Sequence, residues 1–111
     1  MARVDFVIGD RYGTSCSELV TDAIERSLVG RGYRVVRNKP YAGGYITEHY
    51  GNPSAGLHAV QIELNRSLYM DEAAYERNGG FVRVQADILA LMGDLFVAVS
   101  EGLAPLRAAA E

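Results

Sequence analysis

The feature that most constrains the fold is a short apolar run, Val4 to Ile8, which is followed closely by a helical pattern. The run is rich in β-branched residues and stops at Gly9, which is typical of a buried strand. Apolar residues then recur at helical spacing from Leu19 to Leu28, and Gly30 supplies a stop. A second strand is predicted at Tyr33 to Arg37. We therefore expect a right-handed strand–helix–strand unit with two parallel strands.

The rest of the chain predicts one more strand and two more helices. Ser15 to Glu18 has the form of a capping box for the first helix. A third strand is predicted at Leu57 to Leu64, a short helix at Asp71 to Glu76, and a long helix from Phe81. This order predicts an α/β fold in a single domain, 1–111, built as a partial three-layer sheet with flanking helices. Three strands are few for a sheet covered on both faces, so we expect this chain to be part of a larger α/β domain.

Composition excludes several classes of function. The chain has 111 residues, of which 49% are hydrophobic and 23% are charged, and its net charge is −3. Without a basic patch it is a poor candidate for binding nucleic acid or an anionic membrane. The single cysteine, Cys16, cannot form an intramolecular disulfide, and the first residues lack the apolar core of a signal peptide. We expect a soluble cytoplasmic protein.

The segment from Asn38 to Tyr45 follows the second predicted strand and contains the pair Gly43-Gly44. Ligands bind at the carboxyl ends of strands in open α/β sheets, so the position favours a binding loop. Asn38 could donate its amide to a substrate carbonyl or oxyanion. It could equally bond its own backbone in a well-formed turn. The glycine spacing is not that of a nucleotide-binding loop.

The predicted strand Leu57 to Leu64 carries Gln61 and Glu63 on one face, because side chains alternate along a strand. A carboxylate in a largely buried strand is costly unless it is paired, hydrogen-bonded or ligated. Such a desolvated carboxylate suits general acid–base chemistry. The alternative is an edge strand with Glu63 in water or paired with an arginine. His58 lies on the opposite, apolar face, which favours a structural histidine over a ligand.

Beyond this strand, Arg66 could bind a substrate carboxylate with two parallel hydrogen bonds. It could also be a surface residue or an ion-pair partner. Strict alternation aims it away from Glu63, so cooperation between the two requires a bend near Asn65. The two histidines, His49 and His58, do not have the spacing of a zinc motif, and no metal ligands are predicted in this chain.

Several stretches together resemble the C-terminal half of the N-formylglutamate amidohydrolase family. The combination of N-x-P-Y-x-G-G, Q-x-E and L-Y-M-D-E is specific, although each piece alone is weak. The matching stretches are 5–10, 13–16, 38–47, 50–53, 58–66 and 68–72.

The resemblance implies a fold related to the zinc carboxypeptidases and deacylases (phosphorylase/hydrolase-like), and hydrolysis of an N-formyl or N-acyl amino acid such as N-formylglutamate. It implies that Glu63 acts as general base and then proton donor. Asn38, Gly43, Gly44, Gln61 and Arg66 would then help to form the substrate pocket. Zinc is implied as cofactor.

The family's metal ligands lie in its N-terminal half, on motifs that are not found here, so zinc ligands are expected outside this chain. Self-association or pairing with the missing half is therefore expected. A metal-free binding module that keeps the fold without catalysis is the alternative function.

Overall fold

The computed structural model describes residues 3–110 and the side chains of 3–102. Among these residues, three strands form the main sheet and two more form a hairpin, and two long α-helices, one short α-helix and two 3-10 helices complete the regular structure. The elements are β1 (Phe6–Gly9), α1 (Glu18–Gly30), β2 (Val35–Arg37), α2 (Tyr45–Tyr50), β3 (Gln61–Leu64), β4 (Met70–Asp71), β5 (Glu76–Arg77) and α3 (Phe81–Ala110).

The main sheet is mixed, in the order β2-β1-β3. Strand β1 pairs with β2 in parallel and with β3 in antiparallel register, and Val7 lies between Val36 and Glu63. The predicted parallel pairing of the first two strands is therefore confirmed, with α1 as the connection. Because β1 and β2 are parallel, their carboxyl ends lie at the same edge of the sheet.

The hydrophobic core lies on the face of the sheet that carries Phe6 and Ile8, both fully buried. Helix α1 contributes Ile24 and Leu28, also fully buried, and α3 adds Leu91. Burial of each large apolar side chain stabilises the fold by roughly 1.5 to 3 kcal/mol. The α/β architecture is thus confirmed, with α1 and α3 packed against each other and sharing one core with one face of the sheet.

Two local predictions are wrong. The strand predicted at Leu57 to Leu64 is shorter, because the amide of Ala59 donates to the Ser15 carbonyl rather than continuing the ladder. The segment predicted as a short helix, Asp71 to Glu76, is the turn of the β4–β5 hairpin. There the Asp71 carboxylate accepts hydrogen bonds from the amides of Ala73 and Ala74. A side chain that bonds its own backbone in this way favours a turn over a helix.

The predicted capping box is also wrong. The first helix begins after Ser17, whose side chain makes no capping hydrogen bond. Ser15 is buried and donates its hydroxyl to the Ala59 carbonyl instead. The Ser17 amide donates to Nδ1 of His58 at 2.9 Å. His58 therefore has a structural hydrogen bond, as predicted, although it lies before β3 and not on the apolar face of a strand.

Within the described part of the chain, no helix combines the length and the apolar character needed to cross a bilayer.

Candidate active site

Two loops meet at the carboxyl ends of β1 and β2. The backbone amide of Arg11, just after β1, donates to the Ala42 carbonyl at 2.8 Å. The contact is close because Gly9 has no side chain: a Cβ there would lie 2.7 Å from the Ala42 carbonyl carbon. Ligands bind at this edge in open α/β sheets, so the pair of loops positions a candidate site.

Asp10 joins the two loops from a buried position. Its carboxylate accepts hydrogen bonds from the Asn38 amide, the Gly13 backbone and the Thr21 hydroxyl, at 2.9, 2.9 and 3.0 Å. Burial is the largest single influence on its pKa and raises it, but these hydrogen bonds and the positive charge of Arg37 together outweigh burial. The pKa of Asp10 therefore lies below its usual value, and its ionised side chain holds the two loops together.

Asn38 uses both ends of its amide inside the protein. Its nitrogen donates to Asp10, while its oxygen accepts from the backbone amides of Asp10 and Tyr12, at 3.1 and 3.2 Å. It also adopts a positive φ of 64°. These contacts hold the loop of Asn38 against the loop that follows β1. The role of Asn38 as a donor to substrate stays a prediction.

The glycine pair forms a closely packed turn before α2. Gly43 has a φ of +117°, and a Cβ there would collide with the Thr47 hydroxyl. Its carbonyl accepts a 2.9 Å hydrogen bond from the Arg11 guanidinium. The amide of Gly44 donates to Oε1 of Gln61 at 3.2 Å. The loop is thereby tied to both β1 and β3.

Gln61 links this loop to Glu63. Its Nε2 donates to Oε1 of Glu63 at 2.7 Å, while its own Oε1 accepts from Gly44. The two side chains lie on the sheet face that carries Val7, opposite the helical core, because Val7 is the cross-strand partner of Glu63. The predicted shared face of Gln61 and Glu63 is confirmed.

The expectation that Glu63 is buried is wrong for this structure. Its side chain is exposed, since β3 is an edge strand and only β1 lies beside it. The position thus matches the alternative of an edge strand with Glu63 in water. What holds the carboxylate is the hydrogen bond from Gln61.

Arg66 and Glu63 line the same groove, which has a volume of about 650 Å³. The chain bends between them: β3 ends at Leu64, and a 3-10 helix begins at Arg66. The Asn65 side chain fixes this bend by accepting from the Ser67 amide at 3.0 Å. The bend that cooperation requires is therefore present, and the Arg66 guanidinium has no hydrogen-bond or ion-pair partner within the described residues.

The sequence profile of the N-formylglutamate amidohydrolase family matches residues 1–70. The chain belongs to this family. It is 42% identical over 71 residues to an N-formylglutamate deformylase of Pseudomonas aeruginosa, and 41% identical over 69 residues to one of Pseudomonas putida. A crystal structure of N-formylglutamate amidohydrolase from Ralstonia eutropha JMP134 superposes on 88% of this chain, with a TM-score of 0.80 and 42% sequence identity.

The chain spans only part of these amidohydrolases. The matched regions are 27% and 26% of the two curated relatives, and 34% of the crystallised chain. The profile covers the stretch that carries Asp10, Asn38, Gln61 and Glu63. The family match therefore falls on the candidate site.

A zinc centre needs three or four His, Cys, Asp or Glu side chains that converge on one point. Across the described residues, no group of three or more His, Cys, Asp or Glu side chains is placed to hold a metal ion. His58 uses Nδ1 for the Ser17 amide, and Cys16 is a buried thiol beside Thr21, where burial raises its pKa. The described part of this amidohydrolase-family chain does not fit a zinc centre on its own.

Asp10, Arg11 and Thr21 belong to the site but were not predicted from the sequence. One signal was available for Asp10: it follows a buried strand directly and precedes a glycine-containing turn. The sequence contained no such signal for Arg11 or Thr21, because their roles depend on contacts between two loops and a helix. Arg11 also adopts a positive φ of 50°, which its residue type does not favour.

Proposed function

We propose that this chain forms part of the active site of an amidohydrolase that cleaves an N-formyl or N-acyl amino acid, with N-formylglutamate as the first candidate. Water would add to the formyl carbon and the C–N bond would break, which gives formate and the free amino acid. The observation that carries the proposal is the Gly44–Gln61–Glu63 hydrogen-bond chain, placed at the carboxyl ends of β1 and β2 in a member of this family.

Glu63 is the proposed general base. Its Oε1 accepts from Gln61, and Oε2 makes no hydrogen bond within the described residues, so one oxygen is held and the other can receive a proton. The carboxylate would take a proton from the attacking water. It would then deliver that proton to the leaving nitrogen, so that the amine departs neutral. Fixing one oxygen orients the other toward the reacting atoms.

Arg66 is the proposed anchor for a substrate carboxylate. A guanidinium binds a carboxylate through two parallel hydrogen bonds, and Arg66 lies just beyond the end of the strand that carries Glu63. Asn38 and Gly44 already donate within the protein, to Asp10 and Gln61. We therefore assign them, with Gly43 and Gln61, to shaping the pocket rather than to direct recognition.

Zinc is the proposed cofactor, with its ligands outside this chain, and the wider fold is proposed to be that of the zinc carboxypeptidases and deacylases. The polypeptide that supplies these ligands would also cover the exposed Glu63. The names of the relatives favour an amidohydrolase and give no support to a metal-free binding module.

The test is reconstitution. This chain is co-expressed with the part of the Ralstonia eutropha amidohydrolase that has no counterpart in it, and glutamate release from N-formylglutamate is measured. We expect activity from the pair and little from this chain alone. Glu63→Gln should lower kcat by about 10²-fold or more, since it removes the proton acceptor and keeps the shape.

Glu76→Gln, on the exposed β5, is the matched control and should leave kcat unchanged. A reconstituted Glu63→Gln protein with the activity of the unsubstituted pair would refute the proposed role.

A further inference from the structure

Helix α3 carries no charge on the side that faces away from the rest of the chain over residues 84–100. The charged residues of this stretch are Asp87 and Asp94. Asp87 accepts a hydrogen bond from the Tyr33 hydroxyl. Asp94 accepts one from the Arg31 guanidinium at 2.9 Å. Both charges are therefore used within the chain, and a helix that is apolar all round is typically covered on all sides.

Six exposed residues of α3 follow the seven-residue repeat of a coiled-coil seam. Their spacing alternates between four and three positions, which places them along one stripe of the helix. Larger apolar residues and small residues take turns along this stripe. We call these residues the α3 seam: Val82, Ala86, Leu89, Gly93, Phe96 and Ser100. Val82 and Phe96 are 74% and 73% exposed, so the larger members are available to a partner.

Gly93 lies in the middle of the α3 seam, and the packing of the described residues gives no reason for it. A Cβ there would meet no atom within 4 Å apart from its chain neighbours and its own helix backbone. Gly102, further along the same helix, differs, because a Cβ there would collide with the Leu19 side chain of α1. Glycine inside a helix is destabilising relative to alanine, so Gly93 points to a close approach from outside.

The α3 seam is complementary to a second, antiparallel copy of itself. Its spacing reads the same in both directions, and on reversal the larger and the small residues exchange places. Every larger side chain can then face a small one. The facing pairs are Val82 with Ser100, Phe96 with Ala86, and Leu89 with Gly93.

A parallel pair of the same helices would fit poorly. Each seam residue would face its own copy, so Phe96 would meet Phe96 and a gap would remain at Gly93. Close packing without voids or overlaps requires larger groups to face smaller ones. The order of the residues along the α3 seam therefore favours an antiparallel partner of the same sequence.

The charges beside the α3 seam favour the same arrangement. Arg83, at its start, and Glu101, at its end, are both exposed. They lie on the same flank of the helix, because their separation corresponds to about five whole turns. An antiparallel pair brings Arg83 of each copy near Glu101 of the other, whereas a parallel pair brings like charges together.

The α3 seam is separate from the candidate active site. Helices α1 and α3 cover one face of the sheet, and Glu63 projects from the other. Within the α3 seam, Leu89 is the residue that also lines the groove beside β3. A partner on the seam therefore leaves the face that carries Glu63 open, and the inference does not depend on the proposed function.

We propose that the α3 seam binds a second copy of this chain, so that two α3 helices pack antiparallel in a symmetric dimer. Leu89 of each copy fills the space above Gly93 of the other, and Phe96 packs over Ala86. Because both copies use the same surface, the interface closes with two chains and does not extend into a filament.

The first experiment measures the mass of the full 111-residue chain by analytical ultracentrifugation at micromolar concentrations. We expect a dimer. Phe96→Glu should weaken the dimer about tenfold or more, since it removes a buried aromatic anchor. Val29→Glu, on α1 and 53% exposed, is the matched control and should leave the dimer unchanged. Circular dichroism checks that each variant is folded.

Gly93→Leu tests the close approach independently of Phe96. Leucine favours a helix more than glycine does, so thermal unfolding of the variant should show no loss of stability of the single chain. Its dimer should nevertheless be weakened about tenfold or more, because the new side chain takes the space of Leu89 from the other copy. This combination keeps the proposal testable if Phe96→Glu does not fold.

Cysteine cross-linking tests the orientation. Val82→Cys and Ser100→Cys chains are oxidised separately and as an equal mixture. A disulfide requires Cα atoms within about 7 Å, so the mixture should cross-link and each variant alone should not. The unsubstituted chain is the control, since its cysteine, Cys16, is buried.

Four results would overturn the proposal. One is a folded chain that stays monomeric. Another is a dimer that Gly93→Leu does not weaken, or that Phe96→Glu and Val29→Glu affect alike. The third is a single cysteine variant that cross-links with itself as fast as the mixture does, which would indicate a different orientation. The fourth is a cross-link that disappears when the unmatched part of the Ralstonia eutropha amidohydrolase is added, which would make that polypeptide the occupant of the α3 seam.

Discussion

Gln61 holds Glu63 and the glycine loop at the same time: its Nε2 donates to Oε1 of Glu63 at 2.7 Å, and its Oε1 accepts from the Gly44 amide at 3.2 Å. Both ends of its amide are therefore occupied by the protein. This arrangement makes Gln61 a positioning residue for the proposed base rather than a contact for substrate.

Replacing Gln61 by Glu should separate these two roles. The new carboxylate can still accept from the Gly44 amide, but it cannot donate to Glu63 and it places a like charge beside it. We expect kcat of the reconstituted enzyme to fall by about ten- to hundredfold, with KM changed less. Hydrogen exchange at Gly44 should stay slow, which shows that the loop is intact. An unchanged kcat would mean that Glu63 does not need this hydrogen bond.

The buried Asp10 should make the stability of the fold depend on acidic pH. Its folded-state pKa is lowered, so its contribution is fully present above the unfolded value near 3.8 and is lost as the pH falls below it. Asp10→Asn should reduce the free energy of unfolding at pH 7 by about 1 to 3 kcal/mol, because it replaces a charged acceptor of three hydrogen bonds.

Urea unfolding of wild type and variants at pH 7 and pH 3 measures this effect. The difference in the free energy of unfolding between wild type and Asp10→Asn should be smaller at pH 3 than at pH 7. Glu72→Gln, at an exposed position, is the control and should show no such difference at either pH. If that difference were the same at both pH values, the ionised form of Asp10 would not be the source of the stability.

Tyr33 should respond to alkaline pH. Burial, together with its hydrogen bond to the Asp87 carboxylate, raises the pKa of Tyr33 to about 12. A raised pKa means that the stabilisation is complete below the unfolded value of 10.0 and is lost as the pH rises toward 12. Tyr33→Phe should therefore be less stable than wild type at pH 8, and the difference should shrink above pH 10, as monitored by thermal unfolding.

The matched control is Tyr75→Phe, since Tyr75 is 87% exposed. Absorbance titration of phenolate in the folded protein should lose its highest-pH component in the Tyr33 variant and keep it in the Tyr75 variant. If the Tyr75 variant lost that component instead, the component would belong to Tyr75 and the prediction for Tyr33 would be wrong.

Gly9→Ala should separate the two loops of the candidate site. Its Cβ would lie 2.7 to 2.9 Å from the backbone of Ala42 and Gly43, which cannot move as a flexible side chain can. We expect a loss of about 1 to 3 kcal/mol in the free energy of unfolding, or more if the loop cannot shift. Gly30→Ala, where a Cβ would meet no atom within 4 Å apart from its chain neighbours and its own helix backbone, should be close to neutral. Equal effects of the two substitutions would contradict the close packing of the loops.

Local sequence patterns were sufficient where one segment determines its own structure. The β-branched run at Val4 to Ile8 and the helical spacing from Leu19 predicted a strand and a helix, and both are present. Alternation along the chain placed Gln61 and Glu63 on one face, because the side-chain period of a strand is fixed by its backbone. The family resemblance, carried by the motifs around these residues, was likewise available from the sequence.

Patterns failed where a competing partner lay far along the chain. Ser15 has the spacing of a capping box with Glu18, but it is 44 residues from the Ala59 carbonyl that it contacts. The early part of the third strand was lost for the same reason, since Ser15 also accepts from the Ala59 amide. The hairpin at Met70 to Arg77 was missed for a different, local reason: the Asp71 carboxylate accepts from the amides of Ala73 and Ala74, which favours a turn over a helix.

By itself the sequence determined the α/β class, the order of the main elements and the residues that carry the family motifs, because strand and helix periodicity are local properties of the backbone. Only the tertiary structure decided that Glu63 is exposed on an edge strand, that Gln61 bonds it to Gly44, and that Asp10 braces two loops. Burial and hydrogen-bond partners depend on which segments meet in space, and no pattern within a single segment encodes that meeting.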